Sequence, residues 1–552
     1  MSKRIVVIIS TFLLLTVLLS SCGGQTGPAG AGSENTGSES PGTTASSGSA
    51  AAGPERSRTV RLGTSYKPTT MDPNDLRNWS STVHAFFTFE TLIYTEHTAS
   101  GYKPQLAKSW EITEDGKSWI FQLRDDVDFS NGDHFTADDV VYTVERVVSE
   151  ADRLVYKSYY APTMTDAEKI DEYTVKINFS EPFPDAGGAF VALFIINSKA
   201  HQEMGDDLFH NQLLYGTGPW ILDEWVDGQF SKFHKNPNYW NKAGFDPYFD
   251  NVELNFIAEP SSAIAAHLSG TLDSYSANGG ISMDMVSLYD GSEDRIELVE
   301  YETCTVYDMG LSFKEGSPWL DDKLREAFDI CIDRQMIIDT IFGGTGASMP
   351  VGSLHKYMTG YDETLGTPEY DPDRARQLVA ESTYDGRPIE FLIHPQIVQG
   401  EEVALALADM AIAVGINMVV KSEEFAVYTT RQNAGDYDIF LLSVSSGDGN
   451  PFRSLEQIIQ NYNKPDVQNW PGHEELYALI EETMGEKGMD PARRAEYAKR
   501  INKFIFENRM PRIRLVYRNV VQAQNWGIAG IDYWPDGMLR YASVNWDPSK
   551  AK

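Results

Sequence analysis

The chain has 552 residues, is 41% hydrophobic, and carries a formal net charge of −34 with a sequence pI of about 4.6. An acidic balance of this size argues against nucleic-acid binding, because a phosphate backbone needs a basic face. The composition is that of a folded globular protein, and the length exceeds what one compact core usually holds.

Lys3 and Arg4 precede an apolar run at residues 5–19, which is too short to span a bilayer and reads as the h-region of a secretion signal. The run ends in Leu19-Ser20-Ser21-Cys22. That pattern resembles the bacterial lipobox, in which Cys22 is acylated and becomes the new N-terminus; the two or more chains supplied there are enough for stable anchoring. Residues 23–57 are nearly all Gly, Ser, Thr, Ala and Pro and read as a flexible tether. The expected location is therefore the cell membrane, lipid-anchored, facing the periplasm or the cell exterior. Cys304 and Cys331 remain, and two buried thiols are expected, although such a compartment permits a disulfide.

Beyond the tether, strand-like alternation begins at Arg58 and returns at residues 119–123, 173–179 and 252–257. Asp115-Gly116 suits a hairpin turn between strands at Trp110 and Trp119. Thr136 with Asp139 forms a capping signature for a helix whose stripe is Val140, Val141, Val144, Val147 and Val148. Ser262 opens another helix that Gly270 stops. Leu324, Ala327, Phe328 and Cys331 predict a helix ended by Gly343-Gly344. Val403, Leu407, Met410 and Val414 predict one closed by Gly415. Strands and helices alternating throughout give an α/β or α+β class.

No nucleophile elbow, phosphate-binding loop or dinucleotide glycine pattern occurs. His473-Glu474-Glu475-Leu476-Tyr477 starts like a zinc-protease motif but has Tyr where the second His belongs, so it reads as a helix opening on acidic residues. The ten His are scattered, and no metal site or cofactor is expected. The weight falls on binding rather than catalysis.

From Phe89 the sequence becomes specific. Phe89-Glu-Thr-Leu-Ile-Tyr94 leads to Pro104-Gln-Leu-Ala-Lys-Ser-Trp110, then Leu123-Arg124, Val127-Asp-Phe129, Gly132 and Thr136-Ala-Asp-Asp-Val140. Gly216-Thr-Gly-Pro-Trp220, Asn236-Pro-Asn-Tyr-Trp240, Ser269-Gly-Thr-Leu-Asp273, Leu320 to Ala327, Tyr370-Asp-Pro372 and Gly435-Asp-Tyr-Asp438 follow in order. From Arg58 onward the chain resembles the bacterial extracellular solute-binding proteins of family 5, the oligopeptide, dipeptide and nickel group. The resemblance implies an α/β, two-lobed periplasmic-binding-protein type II fold with an extra domain inserted in the first lobe. The expected division is a signal peptide at 1–22, a tether at 23–57, lobe I at 58–93, 215–302 and 519–552, an inserted subdomain at 94–214, and lobe II at 303–518.

In peptide-binding relatives, the stretch after the Gly-Asp-Tyr-Asp block carries an Arg, a Trp, an Asp and a Pro that handle the ligand. Aligned back from Pro451, Leu441 takes the Arg position, Val444 the Trp and Gly447 the Asp, with Asp448 one residue away. Asp448 is the expected polar contact, with Gly447 beside it letting backbone approach a ligand; a tight turn is the competing reading of Gly-Asp-Gly-Asn-Pro. Arg431 corresponds to a second charge-reading Arg in some relatives, against the plainer reading of a solvated helix-end Arg. Tyr66, Trp79 and Tyr307 are candidates to line the cleft, although an aromatic is more often core. The resemblance implies a monomeric substrate-binding component that delivers a small molecule or peptide to an ABC permease and its ATPase. Oligosaccharide binding, metal-chelate or nickel binding, and presentation of ligand to a membrane sensor are the alternatives.

Overall fold

The computed structural model describes residues 58–551 other than 66, 76–78, 96–100, 152, 155, 157–160, 184–185, 278–279, 445–472, 485, 535–536 and 538. β1 (Thr59–Thr64) buries Val60 and Leu62 and is followed by α1 (Trp79–Thr88). A separate four-stranded sheet comes next, made of β2 (Ala107–Ile112), β3 (Ser118–Leu123), β4 (Met164–Asp171) and β5 (Thr174–Phe179) in the order β2-β3-β5-β4. Gly116, at φ +67°, makes the β2–β3 turn where the Asp-Gly pair predicts it. α2 (Ala137–Ser149) lies against this sheet and begins in a full capping box between Thr136 and Asp139. Val140, Val144 and Val147 face the core it shares with Phe121, Ile177 and Phe190.

The chain then enters the main sheet through β6 (Trp220–Val226), β7 (Phe230–Lys235) and β8 (Asn251–Phe256). Gly216, just before β6, packs so tightly on α1 that a Cβ there would lie 1.8 Å from the Thr88 carbonyl oxygen. α3 (Pro260–Leu268) starts two residues before the predicted Ser262, because Pro is well placed in the first helical turn. β9 (Ser274–Ser276) leads to β10 (Ile296–Leu311), a strand of 16 residues.

The helix expected from Leu324 to Gly343 is two helices, α4 (Asp322–Ile330) and α5 (Arg334–Thr340). Asp333 caps the second by accepting from Met336 N at 2.9 Å, and the apolar run through Cys331 and Ile332 hides that break in the sequence. The short β11 (Ala347–Ser348) precedes α6 (Pro372–Glu381), β12 (Ile389–Ile393), α7 (Gly400–Ala413), β13 (Met418–Ser422), α8 (Phe425–Ala434) and β14 (Ile439–Val444). α9 (His473–Met484), α10 (Pro491–Asn508) and β15 (Arg512–Asn525) follow, and α9 carries Glu474 and Glu475 in its first turn as expected.

Among the described residues the main sheet runs β13-β12-β14-β10-β15-β9-β1-β8-β7-β6, with β11 paired to β15. One large apolar core packs α4 to α7, α9 and α10 on the β12–β14 half; a second packs α1 and the C-terminal segment on the β1–β8 half. Among the described residues only β10 and β15, paired antiparallel, belong to both halves. Cys304 and Cys331 are buried and unbridged.

Candidate functional site

Strand direction locates the site. β1 is parallel to β8 and β9, and β9 runs antiparallel to β15 with Ser274 opposite Gln524 and Tyr275 opposite Ala523. The carboxyl ends at Thr64, Phe256 and Ser276 therefore point along β15 toward Asn519. In the other half, β12, β13 and β14 are mutually parallel, and β14 ends at Val444 opposite Val306 of β10. Both sets aim their carboxyl ends at the crossing of β10 and β15, the position where open α/β sheets place ligands.

The crossing is irregular. Glu302 pairs with Asn519 and Val306 with Tyr517, so β10 carries two extra residues there. Thr303 satisfies the interrupted ladder: its hydroxyl donates to Arg518 O at 2.7 Å and accepts from Thr305 N at 3.1 Å. Cys304 sits with its Sγ 3.5 Å from His355 Nδ1. On the β1 side, Tyr301 and Tyr533 approach with ring centroids 4.6 Å apart. Tyr533 shares a 2.6 Å hydrogen bond with Ser276 Oγ, and Tyr301 donates to Ile531 O at 2.8 Å. Gly537 reaches over the crossing toward Thr303 and Val520.

Arg518 is a buried cation of this crossing, which also holds two acids, Glu302 paired with Lys356 and Glu300 accepting from Asn519 Nδ2 at 2.5 Å. It is 9% exposed, in a strand whose other cations are Arg512 and Arg514. Burial pushes the Tyr307 and Tyr533 phenols up, while the Arg518 guanidinium pulls each down, so it stands within electrostatic reach of both halves of the sheet. No sequence motif flags Arg518. The available signal was Arg512, Arg514 and Arg518 interrupting an apolar strand run, since buried arginines need a counter-charge or a task.

The residues picked from sequence fare differently. Tyr307, expected on a cleft wall, is corrected to a core position: it is fully buried, packs edge-on against Phe342 and donates to Val398 O at 2.5 Å. It lies on the apolar face of β10, beneath the segment that follows β12. Arg431, in the last turn of α8, is held by Glu390 at 2.5 Å, Asp436 at 3.1 Å and Glu423 at 3.6 Å, a surface charge network. Trp79 is the first residue of α1. Tyr66, Gly447, Asp448 and Cys22 lie outside the described residues.

A second buried polar hub was also missed. Glu90, inside the Phe89–Tyr94 block, accepts from Trp240 Nε1 at 2.7 Å, Tyr239 Oη at 2.9 Å and Gln105 Nε2 at 3.3 Å. Burial raises its carboxyl to about 7 despite these donors. It ties the start of the inserted segment to the 236–240 loop, where Trp240 also holds the Arg124 guanidinium at 4.1 Å. A cavity of about 270 Å³ opens beside Tyr239, between Asn236, Pro237 and Phe245, in the β7–β8 connection and away from the crossing. Among the described residues no helix is long and apolar enough to cross a membrane.

Comparison with known proteins agrees with this geometry. The profile of the bacterial extracellular solute-binding proteins, family 5 middle region, matches residues 101–466. The chain is 26% identical over 415 residues to "Di/tripeptide-binding protein 3" of Pseudomonas aeruginosa, covering 69% of this chain and 75% of that protein. It is 23% identical over 425 residues to "Heme-binding protein A" of Haemophilus influenzae, covering 72% and 76%. The solved structure of HbpA2 from Haemophilus parasuis superposes with a TM-score of 0.78 at 20% identity, over 89% of this chain and 100% of that one. It shares the two-lobed periplasmic-binding fold.

Proposed function

Because the chain belongs to the bacterial extracellular solute-binding proteins, family 5, we propose that it is the extracytoplasmic binding component of an ABC importer and closes on a short peptide at the crossing of β10 and β15. The observation that carries this reading is the convergence of two sets of parallel strands, one from each half of the sheet, on a junction where, among the described residues, only β10 and β15 run from one half to the other, with the short β11 paired beside Arg518. Two strands with a bulge bend more easily than a continuous sheet, so the lobes meet at a hinge, with boundaries at 302/303 and 518/519. Ligand between them makes contacts in the closed state that the open state lacks, and that difference in affinity drives closure.

A peptide is favoured by the di/tripeptide-binding relative and by the charge at the junction. Arg518 reads the ligand carboxylate, since a guanidinium fork matches a carboxylate bidentately. Asp448, with Gly447 beside it, takes the amine. Lipid on Cys22 holds the body near the membrane through the 23–57 tether, and the closed form is what a permease and its ATPase accept.

The test is a thermal-shift screen of protein unfolded and refolded to strip bound ligand. A ligand at about a hundred times its dissociation constant adds about 2.7 kcal/mol, enough to move the melting point. A rise with di- or tripeptides is the expected result. A rise only with oligosaccharides, with haem or with metal chelates would overturn the peptide reading.

A further inference from the structure

Asp308, Arg512 and Arg514 meet on β10 and β15, on the sheet face opposite Tyr307, because successive strand residues point to opposite sides. Register sets Arg514 across from Asp308 and Arg512 across from Gly310. The three side chains are 0%, 1% and 7% exposed for Asp308, Arg512 and Arg514. Arg514 Nη1 pairs with Asp308 Oδ2, and Arg512 Nη1 stands 3.7 Å from the same oxygen. Among the described residues, Arg512 Nε and Nη2, Arg514 Nε and Asp308 Oδ1 have no hydrogen-bond partner.

Among the described residues two guanidiniums therefore share one carboxylate, and a positive charge is left over in the interior. An arginine does not escape by losing its proton, as a buried lysine does. A trapped water would satisfy the N–H groups and leave the charge. An anion satisfies both.

We propose that this cluster binds one small monovalent anion of chloride size, held by the free Nε and Nη2 donors of Arg512 with Arg514 beside it. The bound ion brings the buried charge to zero without drawing on the hinge or the peptide cleft.

The experiment follows the melting temperature of the protein while chloride replaces gluconate at constant ionic strength, for wild type and Arg512→Met. Met fills the space of the aliphatic stem and leaves the Asp308–Arg514 pair charge-balanced. Wild type rises with chloride by roughly 2 °C or more, and Arg512→Met stays flat. Crystals of wild type grown in bromide show an anomalous peak beside Arg512. Equal responses in the two proteins, a flat wild type, or bromide density elsewhere with none at Arg512 would each overturn the proposal.

Discussion

Arg146 and Arg512 are equally dry, with side chains 2% and 1% exposed, yet they keep very different company. Arg146, on α2, meets Asp72 through both nitrogens at 2.5 and 3.0 Å, takes Asn74 Oδ1 at 3.0 Å and reaches Asp206 at 3.2 Å. Arg153, Glu150 and His201 complete that network. Burial alone would raise the Asp206 carboxyl, but Arg153 and Arg146 hold it below its usual range. Here acids outnumber arginines, and they come from segments remote in sequence, so the cluster ties the 71–75 loop to the inserted helix. Arg512 has a third of a site by comparison: one distant carboxylate oxygen, already used by Arg514. The difference teaches that burial of an arginine does not itself report a finished ion pair. One cluster has more acids than arginines, and the other, among the described residues, has one acid for two arginines.

The sharpest way to break this contrast is to remove the shared acid. Asp308→Asn takes away the one carboxylate that two buried guanidiniums share, and urea unfolding should show a loss of roughly 3–5 kcal/mol, the usual result of removing one partner of a buried ion pair. Asp72→Asn should lose less, about 2–3 kcal/mol, because Asp206 and Glu150 remain near Arg146. If the two losses are equal, the clusters do not differ as described.

Glu90 adds a third case, a buried acid with donors and, among the described residues, no ion-pair partner. Its folded value of about 7 lies above the ordinary 4.5, so the protonated form is favoured by folding. Its contribution is fully present below about pH 4.5 and lost as pH rises through about 7. Relative to Glu90→Gln, wild type should therefore lose on the order of 3 kcal/mol of unfolding free energy across that window. Parallel pH profiles for the two proteins would remove the effect. The smallest change is expected at the surface network: Arg431→Gln should cost less than about 1 kcal/mol in the same unfolding assay and leave peptide affinity unchanged.

Much of the fold was legible because its signals are local. Asp115-Gly116 fixes a hairpin by turn chemistry, Thr136 and Asp139 close a capping box, and Asp371-Pro372 starts α6 with Asp371 accepting from Arg374 N. The break at Asp333 was not legible, since Cys331 and Ile332 continue the apolar pattern across it. The site was harder for a deeper reason. Period two says that Tyr307 and Asp308 face opposite ways, but not which face meets ligand and which meets core. Arg518 matters only because β10 and β15, some 200 residues apart in sequence, pair there with a bulge between Glu302 and Val306. No window of sequence holds that information. Glu90 was read as part of a family block, and its three donors come from two other segments.

On the proposed function, the crossing of β10 and β15 receives a short peptide through Arg518. Isothermal titration of ligand-stripped wild type and Arg518→Gln with di- and tripeptides tests it most directly. Saturable one-to-one binding by wild type is expected, with at least about a tenfold weaker dissociation constant in the variant, in line with loss of a charge-assisted pair. Peptide binding of equal strength in both proteins would contradict it, and so would a wild type that takes up no peptide while it binds haem, a metal chelate or a sugar.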